Sequence, residues 1–327
     1  MIVSRTPFRM SFVGGGSDLP AYYRYSQGAV VSSAINKYVY VTINKKFDDG
    51  IRIAYSENEE VKSVQQVKHK IVRAALEFLQ IKGGIEITTI ADIPSKGSGL
   101  GSSSSFAVGL LNALNAYNGI HSTTESLGVD SCHLEIDLCK EPIGRQDQYA
   151  AAYGGFNIIE FMCDDSVIVS PINCDRKTIN AIEDSILLFY TGVTRSASDL
   201  LQQQSRDLIG SPTKQASVGR MVQLAYELKS ELQRNNSAAF GEILHENWML
   251  KKSLSKGISN PVIDEWYAKG ISAGATGGKI LGAGAGGFLM FTAPAERHEQ
   301  IKRSLIGLRP IDVGFDSTGS KIIFCGH

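Results

Sequence analysis

Neither sign of charge is in surplus in this chain: 33 lysines and arginines balance 33 aspartates and glutamates. Without a basic excess, neither a nucleic acid nor an anionic membrane is an expected partner, although a local anion site is compatible with neutrality. Cysteine is scarce. Cys132, Cys139, Cys163, Cys174 and Cys325 are odd in number and none has CxxC spacing, which argues against a disulfide framework or a zinc site and fits a reducing compartment. The six histidines are scattered without ligand spacing. Met1–Met10 lacks the apolar core of a secretory signal, so a cytoplasmic location is expected. The long uncharged stretch 97–124 contains four consecutive serines and three asparagines, and reads as a buried loop and helix rather than a membrane span. There is no internal repeat and no low-complexity tail.

What is present is an ordinary globular composition, 43% hydrophobic and 20% charged over 327 residues. That length exceeds what one core normally fills, so two domains are expected, with a boundary near 175. Strands are expected at Ile2–Ser4, Arg9–Val13, Ala29–Ser33, Tyr38–Asn44 and Ile51–Tyr55, the last after an Asp49-Gly50 turn. A helix follows at Val64–Gln80, then the strand Ile85–Ile90 and a helix at Ser102–Tyr117 stopped by Asn118-Gly119. One helix is expected from about Thr123 to Lys140, and a hairpin around Asp164-Asp165. Beyond the strand Ile186–Tyr190 come about 75 residues dominated by helix, with Asn260-Pro261 as a cap pair. Two glycine-flanked strands, a helix and a short terminal strand close the chain. Strands in clusters, rather than in strict alternation with helices, indicate an α+β fold.

The segment Pro94-Ser95-Lys96-Gly97-Ser98-Gly99-Leu100-Gly101-Ser102-Ser103-Ser104 carries the most chemistry. Its glycines let the backbone approach an anion closely. It runs into a helix start, where unsatisfied N–H groups and the positive dipole end face the loop. The serine hydroxyls add donors and a candidate magnesium ligand. Four serines exceed what capping one helix requires. No Gly-Lys-Ser/Thr closes the loop, so it is not a Walker A motif.

This segment resembles the phosphate-binding motif of the GHMP kinases, with a spacer from Pro94 to Gly99 one residue longer than the usual form. Two further segments support the resemblance. Arg5-Thr6-Pro7-Phe8-Arg9 through Gly14-Gly15-Gly16-Ser17-Asp18 is similar to the galactokinase-type signature. Arg9 falls where an arginine near the transferred phosphoryl is expected, and Ser17-Asp18 where a Thr-Asp pair contacts the sugar. Gly15-Gly16 replace that signature's Glu-His, so the chain departs from a standard galactokinase. Near the other end, Lys279-Ile280-Leu281-Gly282-Ala283-Gly284-Ala285-Gly286-Gly287 matches the family's C-terminal glycine loop. It also satisfies G-x-G-x-x-G, but a strand follows where a dinucleotide fold needs a helix.

The resemblance implies further roles. Asp147-Gln148 followed by Gly154-Gly155 looks like the Asp-Gln segment of galactokinases and fucokinases, whose aspartate orients the acceptor hydroxyl or takes its proton. Glu135 sits where the family places a magnesium-binding glutamate, with Ser103 as the second ligand. Gly15, Gly16, Ser17, Asp18, Thr194, Arg195 and Gly284 are the substrate-binding candidates; Thr194 is equally a helix N-cap. The implied fold is a two-domain α+β GHMP kinase fold. Residues 1–175 would form the N-terminal domain with a left-handed βαβ unit, and residues 176–327 a ferredoxin-like C-terminal domain.

The implied activity uses Mg²⁺ and ATP and takes a small sugar phosphate as acceptor. Gly-Gly-Gly-Ser-Asp-Leu-Pro, Asp-Gln-Tyr-Ala-Ala-Ala-Tyr-Gly-Gly-Phe-Asn and Thr-Arg-Ser-Ala look most like the branch of D-glycero-D-manno-heptose 7-phosphate kinases. Members of that branch phosphorylate the anomeric (C1) hydroxyl to give the 1,7-bisphosphate. An L-fucokinase or other sugar 1-kinase, and a catalytically silent sugar-sensing regulator, are the competing expectations.

Overall fold

The computed structural model describes residues 1–93, 97–193 and 197–326. Most of the first sheet comes from β1 (Ile2–Val13), β2 (Gly28–Lys45), β3 (Ile51–Ala54), β4 (Asn58–Val61), β5 (Ile85–Ala91), β6 (Phe156–Phe161) and β7 (Val167–Pro171). The second consists of β8 (Ile186–Tyr190), β9 (Gly277–Ile280), β10 (Phe288–Thr292) and β11 (Arg309–Ile311). The last strand, β12 (Lys321–Cys325), returns to the first sheet and pairs antiparallel with β1.

The helices before residue 175 are α1 (Pro20–Tyr23), α2 (Lys70–Phe78), α3 (Ser102–Tyr117), α4 (Thr124–Cys132) and α5 (Gln146–Tyr153). Those after it are α6 (Arg176–Ser185), α7 (Ala197–Leu208), α8 (Pro212–Gln233), α9 (Ala239–Leu254), α10 (Pro261–Ser272) and α11 (His298–Ser304).

The first sheet runs β12-β1-β2-β5-β3-β4, with β6 also paired to β2 and β7 to β6. One strand, β2, serves two partners: Gly28–Ser33 pairs with β6, and Val39–Lys45 with β5. Where the sequence suggests two pairs of short strands, β1 and β2 are each continuous. The interruption at Thr6-Pro7 is a register shift between Pro7 and Phe8, and a bulge tolerates a proline that has no N–H to give. β3 and β5 pair in parallel, whereas the second sheet, β11-β8-β10-β9, is antiparallel throughout.

Helices α8 and α9 link the two sheets, α8 against β2 and α9 against both β1 and β9. Their apolar faces, with Trp248 fully buried, join Phe8, Met10 and Phe12 of β1 to Phe288 and Phe291 of β10 in a single core. Residues near 175 separate the two sheets along the chain except at β12. Asn260 caps α10 as expected, accepting from the Val262 and Ile263 N–H groups at 3.0 Å each. The helix expected over Thr123–Lys140 is two elements. After α4, residues His133–Leu138 form a π-helical turn, with the Cys139 N–H donating to Leu134 O five residues back.

Candidate active site

Arg9 lies on β1 with 3% of its surface exposed. Three of its donors are engaged. Nε and Nη2 both reach Asp147 Oδ1, at 2.8 and 2.6 Å, and Nη1 donates to Gly99 O at 2.8 Å. Asp147 belongs to the first turn of α5. Because Arg9 holds only its Oδ1, Asp147 Oδ2 stays on the cleft side, near Gly101. A planar guanidinium with five N–H groups can do this and still keep two for another anion.

The glycine- and serine-rich loop is held on both sides. The Arg9 N–H donates to Leu100 O at 3.0 Å, tying the loop to β1. On the other side it meets the second glycine loop backbone to backbone: a Cβ on Gly282 would stand 2.5 Å from Gly99 Cα. Gly101 precedes α3 in the left-handed region at φ 75°, and no side chain caps the helix. The serines have other tasks. Ser102 Oγ meets Ser98 Oγ at 2.5 Å, Ser103 Oγ donates to Glu135 Oε1 at 2.6 Å, and Ser105 Oγ donates to Pro7 O at 2.9 Å. The first N–H groups of α3 thus lack a side-chain cap at the cleft wall, an arrangement suited to cradling an anion.

Glu135 is fully buried in the π-helical turn, and Gln148 Nε2 donates to its Oε2 at 2.7 Å. Burial pushes its carboxyl up to about 6, against hydrogen bonds from Ser103, Ser104 and Gln148. Among the described residues no cluster of three His, Cys, Asp or Glu could cage a metal. A single buried carboxylate beside an exposed hydroxyl at a helix N-terminus does suit magnesium. That ion keeps waters and shares its coordination sphere with nucleotide phosphates.

Asp18, also buried, accepts from the Gly16 N–H and from Gln146 Nε2, both at 2.9 Å. Burial raises its pKa, and the nearby Asp147 adds to the effect. These groups line a cleft of about 330 Å³ together with Gly97, Ser98, Gly99, Ser104, Lys251, Gly282 and Ala283. A second cavity of about 690 Å³ adjoins it through His69, Lys70, Ile71, Ser102 and Ser103, and its walls include Tyr55, Phe106, Val39 and Ile93.

The structure therefore gathers Arg9, Gly16, Asp18, Gly97, Ser98, Gly99, Gly101, Ser102, Ser103, Ser104, Glu135 and Asp147 around one cleft, with Gly15 beside it. Leu100 is a buried anchor of the loop. Two candidates fall elsewhere. Ser17 is committed to the Ala29 backbone, with which its Oγ exchanges hydrogen bonds at 3.1 Å. Gly284 packs on Ile258, and its neighbours Gly282 and Ala283 line the cleft instead. Pro94, Thr194 and Arg195 lie outside the described residues. Lys279, of the C-terminal glycine motif, is not among the residues lining the cleft. Its buried Nζ donates to Ser11 O and Phe12 O at 2.7 and 2.9 Å, fastening β9 to β1.

Sequence reasoning did not single out Lys251, Gln146 or Gln204. Lys251 carries a usable signal: it sits at i+7 from Leu244 and i+3 from Trp248 on the buried face of α9, where a lysine is out of place.

The family model described as "GHMP kinases N terminal domain" matches residues 67–155. Its counterpart "GHMP kinases C terminal" matches residues 228–307, and together they cover just over half of the chain. The chain is similar to a D-glycero-alpha-D-manno-heptose 7-phosphate kinase of Campylobacter jejuni, at 29% identity over 92% of this chain and 92% of that protein. It also resembles an L-fucokinase/L-fucose-1-P guanylyltransferase of Bacteroides fragilis, at 29% identity over 90% of this chain and 34% of that protein. A crystal structure of a D-glycero-D-manno-heptose 1-phosphate kinase from Bacteroides thetaiotaomicron superposes with a TM-score of 0.80 at 26% identity, covering 100% of both chains. Two matched family halves, the two-unit fold and an anion cradle facing an arginine–aspartate pair agree: this chain belongs to the GHMP kinases.

Proposed function

We propose that the protein transfers the γ-phosphoryl group of ATP to the anomeric hydroxyl of D-glycero-D-manno-heptose 7-phosphate, giving the 1,7-bisphosphate. The Arg9–Asp147 pair at the uncapped N-terminus of α3 carries the reading. It sets a cation and a free carboxylate oxygen side by side where phosphoryl and hydroxyl would meet.

The purine of ATP fits the larger cavity, whose lining includes Tyr55, His69 and Phe106, and the phosphates fit along Gly99–Ser104. Glu135 and Ser103 would hold magnesium, which supplies charge neutralisation between the β- and γ-phosphates. Arg9 offers its two remaining N–H groups to the charge developing on the transferred group. Asp147 Oδ2 orients the acceptor hydroxyl and receives its proton as the oxygen attacks phosphorus. No covalent phosphoenzyme is needed, because phosphoryl transfer depends mainly on alignment and electrostatics.

The names of the two heptose kinases above disagree on where the acceptor's phosphate sits. Attack from C1 requires that hydroxyl to be unsubstituted, so the present reading follows the 7-phosphate. ADP release should be measured with Mg·ATP against heptose 7-phosphate, heptose 1-phosphate, mannose, fucose and galactose, with Asp147→Ala alongside. Turnover is expected with the 7-phosphate, falling at least roughly 100-fold in the mutant. Preference for the 1-phosphate or for fucose would overturn the substrate. ATP binding without turnover on any sugar would favour a sensor.

A further inference from the structure

Lys251 is a buried cation without a carboxylate partner. Only 4% of it is exposed, and its one hydrogen bond among the described residues is from Nζ to Gly282 O at 3.1 Å. It lines the cleft, as does Asp18, yet the two are not in contact. Asp18 instead takes its hydrogen bonds from Gly16 and Gln146. Three more buried polar atoms nearby make no hydrogen bond: Ser11 Oγ, Gln146 Oε1 and Gln204 Nε2.

These groups converge on the glycine pair. A Cβ on Gly15 would stand 3.2 Å from Lys251 Nζ, 3.8 Å from Ser11 Oγ and 3.9 Å from Gln146 Nε2, and one on Gly16 would overlap Gln204 Nε2. Buried polar groups are normally satisfied. A concentration of unsatisfied ones beside a cleft therefore describes a ligand with many hydroxyls.

We propose that Lys251 is an acceptor-recognition residue: one hydroxyl of the sugar bridges its ammonium and the Asp18 carboxylate, accepting from the first and donating to the second. This rests on the kinase reading and adds to it what reads the sugar ring. A hydroxyl suits the position because it both donates and accepts. A phosphate does not, because Asp18 and Asp147 already place two carboxylates there. The acceptor's own phosphate therefore lies away from Lys251. Gly15-Gly16, where the galactokinase-type signature has Glu-His, are the small residues that leave Lys251 and Gln204 room to reach the ring.

The charged groups facing Lys251 are Asp18 after β1, Arg9 on β1, Asp147 on α5 and Lys279 on β9. Burial pushes its amine down to about 8, so acceptor binding should weaken as pH passes 8.

The test is steady-state kinetics on the full chain with ATP and heptose 7-phosphate, comparing wild type with Lys251→Met and Gly15→Ala, each checked by thermal melting. Lys251→Met is expected to raise the acceptor KM roughly 10- to 100-fold, the scale of a hydrogen bond to a charged group. It should leave the ATP KM within about twofold and abolish the alkaline rise in acceptor KM. Gly15→Ala keeps the lysine but crowds it, and should raise the acceptor KM too. Wild-type turnover with the acceptor KM unmoved in both variants would discard the subsite while the proposed function stands, as would a change confined to the ATP KM. Turnover of a different sugar, still dependent on Lys251, would overturn the substrate and keep the subsite.

Discussion

Burial holds the Glu135 carboxyl near 6, compared with 4.5 for an ordinary glutamate. A carboxyl with a raised pKa binds its proton better in the folded chain. Stability is therefore full below about 4.5 and falls as pH rises toward 6; above that the ionised group costs about 2 kcal/mol. Glu135→Gln never ionises and keeps most of the shape. In metal-free buffer it should melt at the same temperature as wild type near pH 4.5 and several degrees higher above pH 6.5. Melting curves that stay parallel from pH 4.5 to 7.5 would contradict the assignment. The same variant should lose turnover with Mg·ATP, since the magnesium-holding role proposed for Glu135 needs the charge that destabilises it. Arg9 and Asp147 stand in short segments that resemble family signatures, and Glu135 stands out only by the position that this resemblance implies. Lys251, Gln146 and Gln204 belong to no such run. Lys251 stands out only as a lysine on an apolar helix face, and Gln146 and Gln204 become informative only once folding brings them to Gly15 and Gly16.

Between elements, the cradle depends on two glycine loops pressed together. Gly99 has φ 77°, and a methyl there would overlap Leu281 O. Gly119, at the end of α3, has nearly the same φ of 75° with nothing within 4 Å of its Cβ position. Gly119→Ala should cost only the left-handed strain, about 1–2 kcal/mol, with the ATP KM unchanged. Gly99→Ala carries the same strain plus a backbone collision, and should raise the ATP KM by roughly 10-fold or more. Equal effects of the two on ATP affinity would mean that the loop contact does not shape the cradle. The limits of α3 were legible because Gly101 and Asn118-Gly119 punctuate both ends. The π-helical turn was not, because a helical period averaged from Thr123 to Lys140 hides one altered hydrogen-bond pattern. That turn carries Glu135 to Ser103 across 32 residues of sequence.

Across the whole molecule, the expected division at 175 separates two sheets that share one core, although the first sheet has a further core of its own with α2 and α3. Phe12 of β1 packs edge-on against Phe240 of α9 with ring centroids 5.2 Å apart, and Lys279 spans from β9 to the β1 backbone. Interfaces this apolar bind units into one cooperative fold. The full chain should unfold in one calorimetric transition, and residues 1–175 alone should show no cooperative melt and should bind a hydrophobic dye. A sharp, reversible transition in that fragment would mean that the first sheet's own core suffices and that the shared core is dispensable to it. The cluster of strands in the sequence revealed the α+β class. It could not show that β12 belongs to the first sheet, since a pairing between Ser4 and Ile322 leaves no local pattern.

The strand that bears Arg9 has β2 on one side and β12 on the other. During synthesis, β2 follows it closely, but Lys321–Cys325 emerges from the ribosome only after the other strands of both sheets. Until then, β1 exposes an unpaired row of N–H and C=O groups, the kind of edge that invites intermolecular strand pairing.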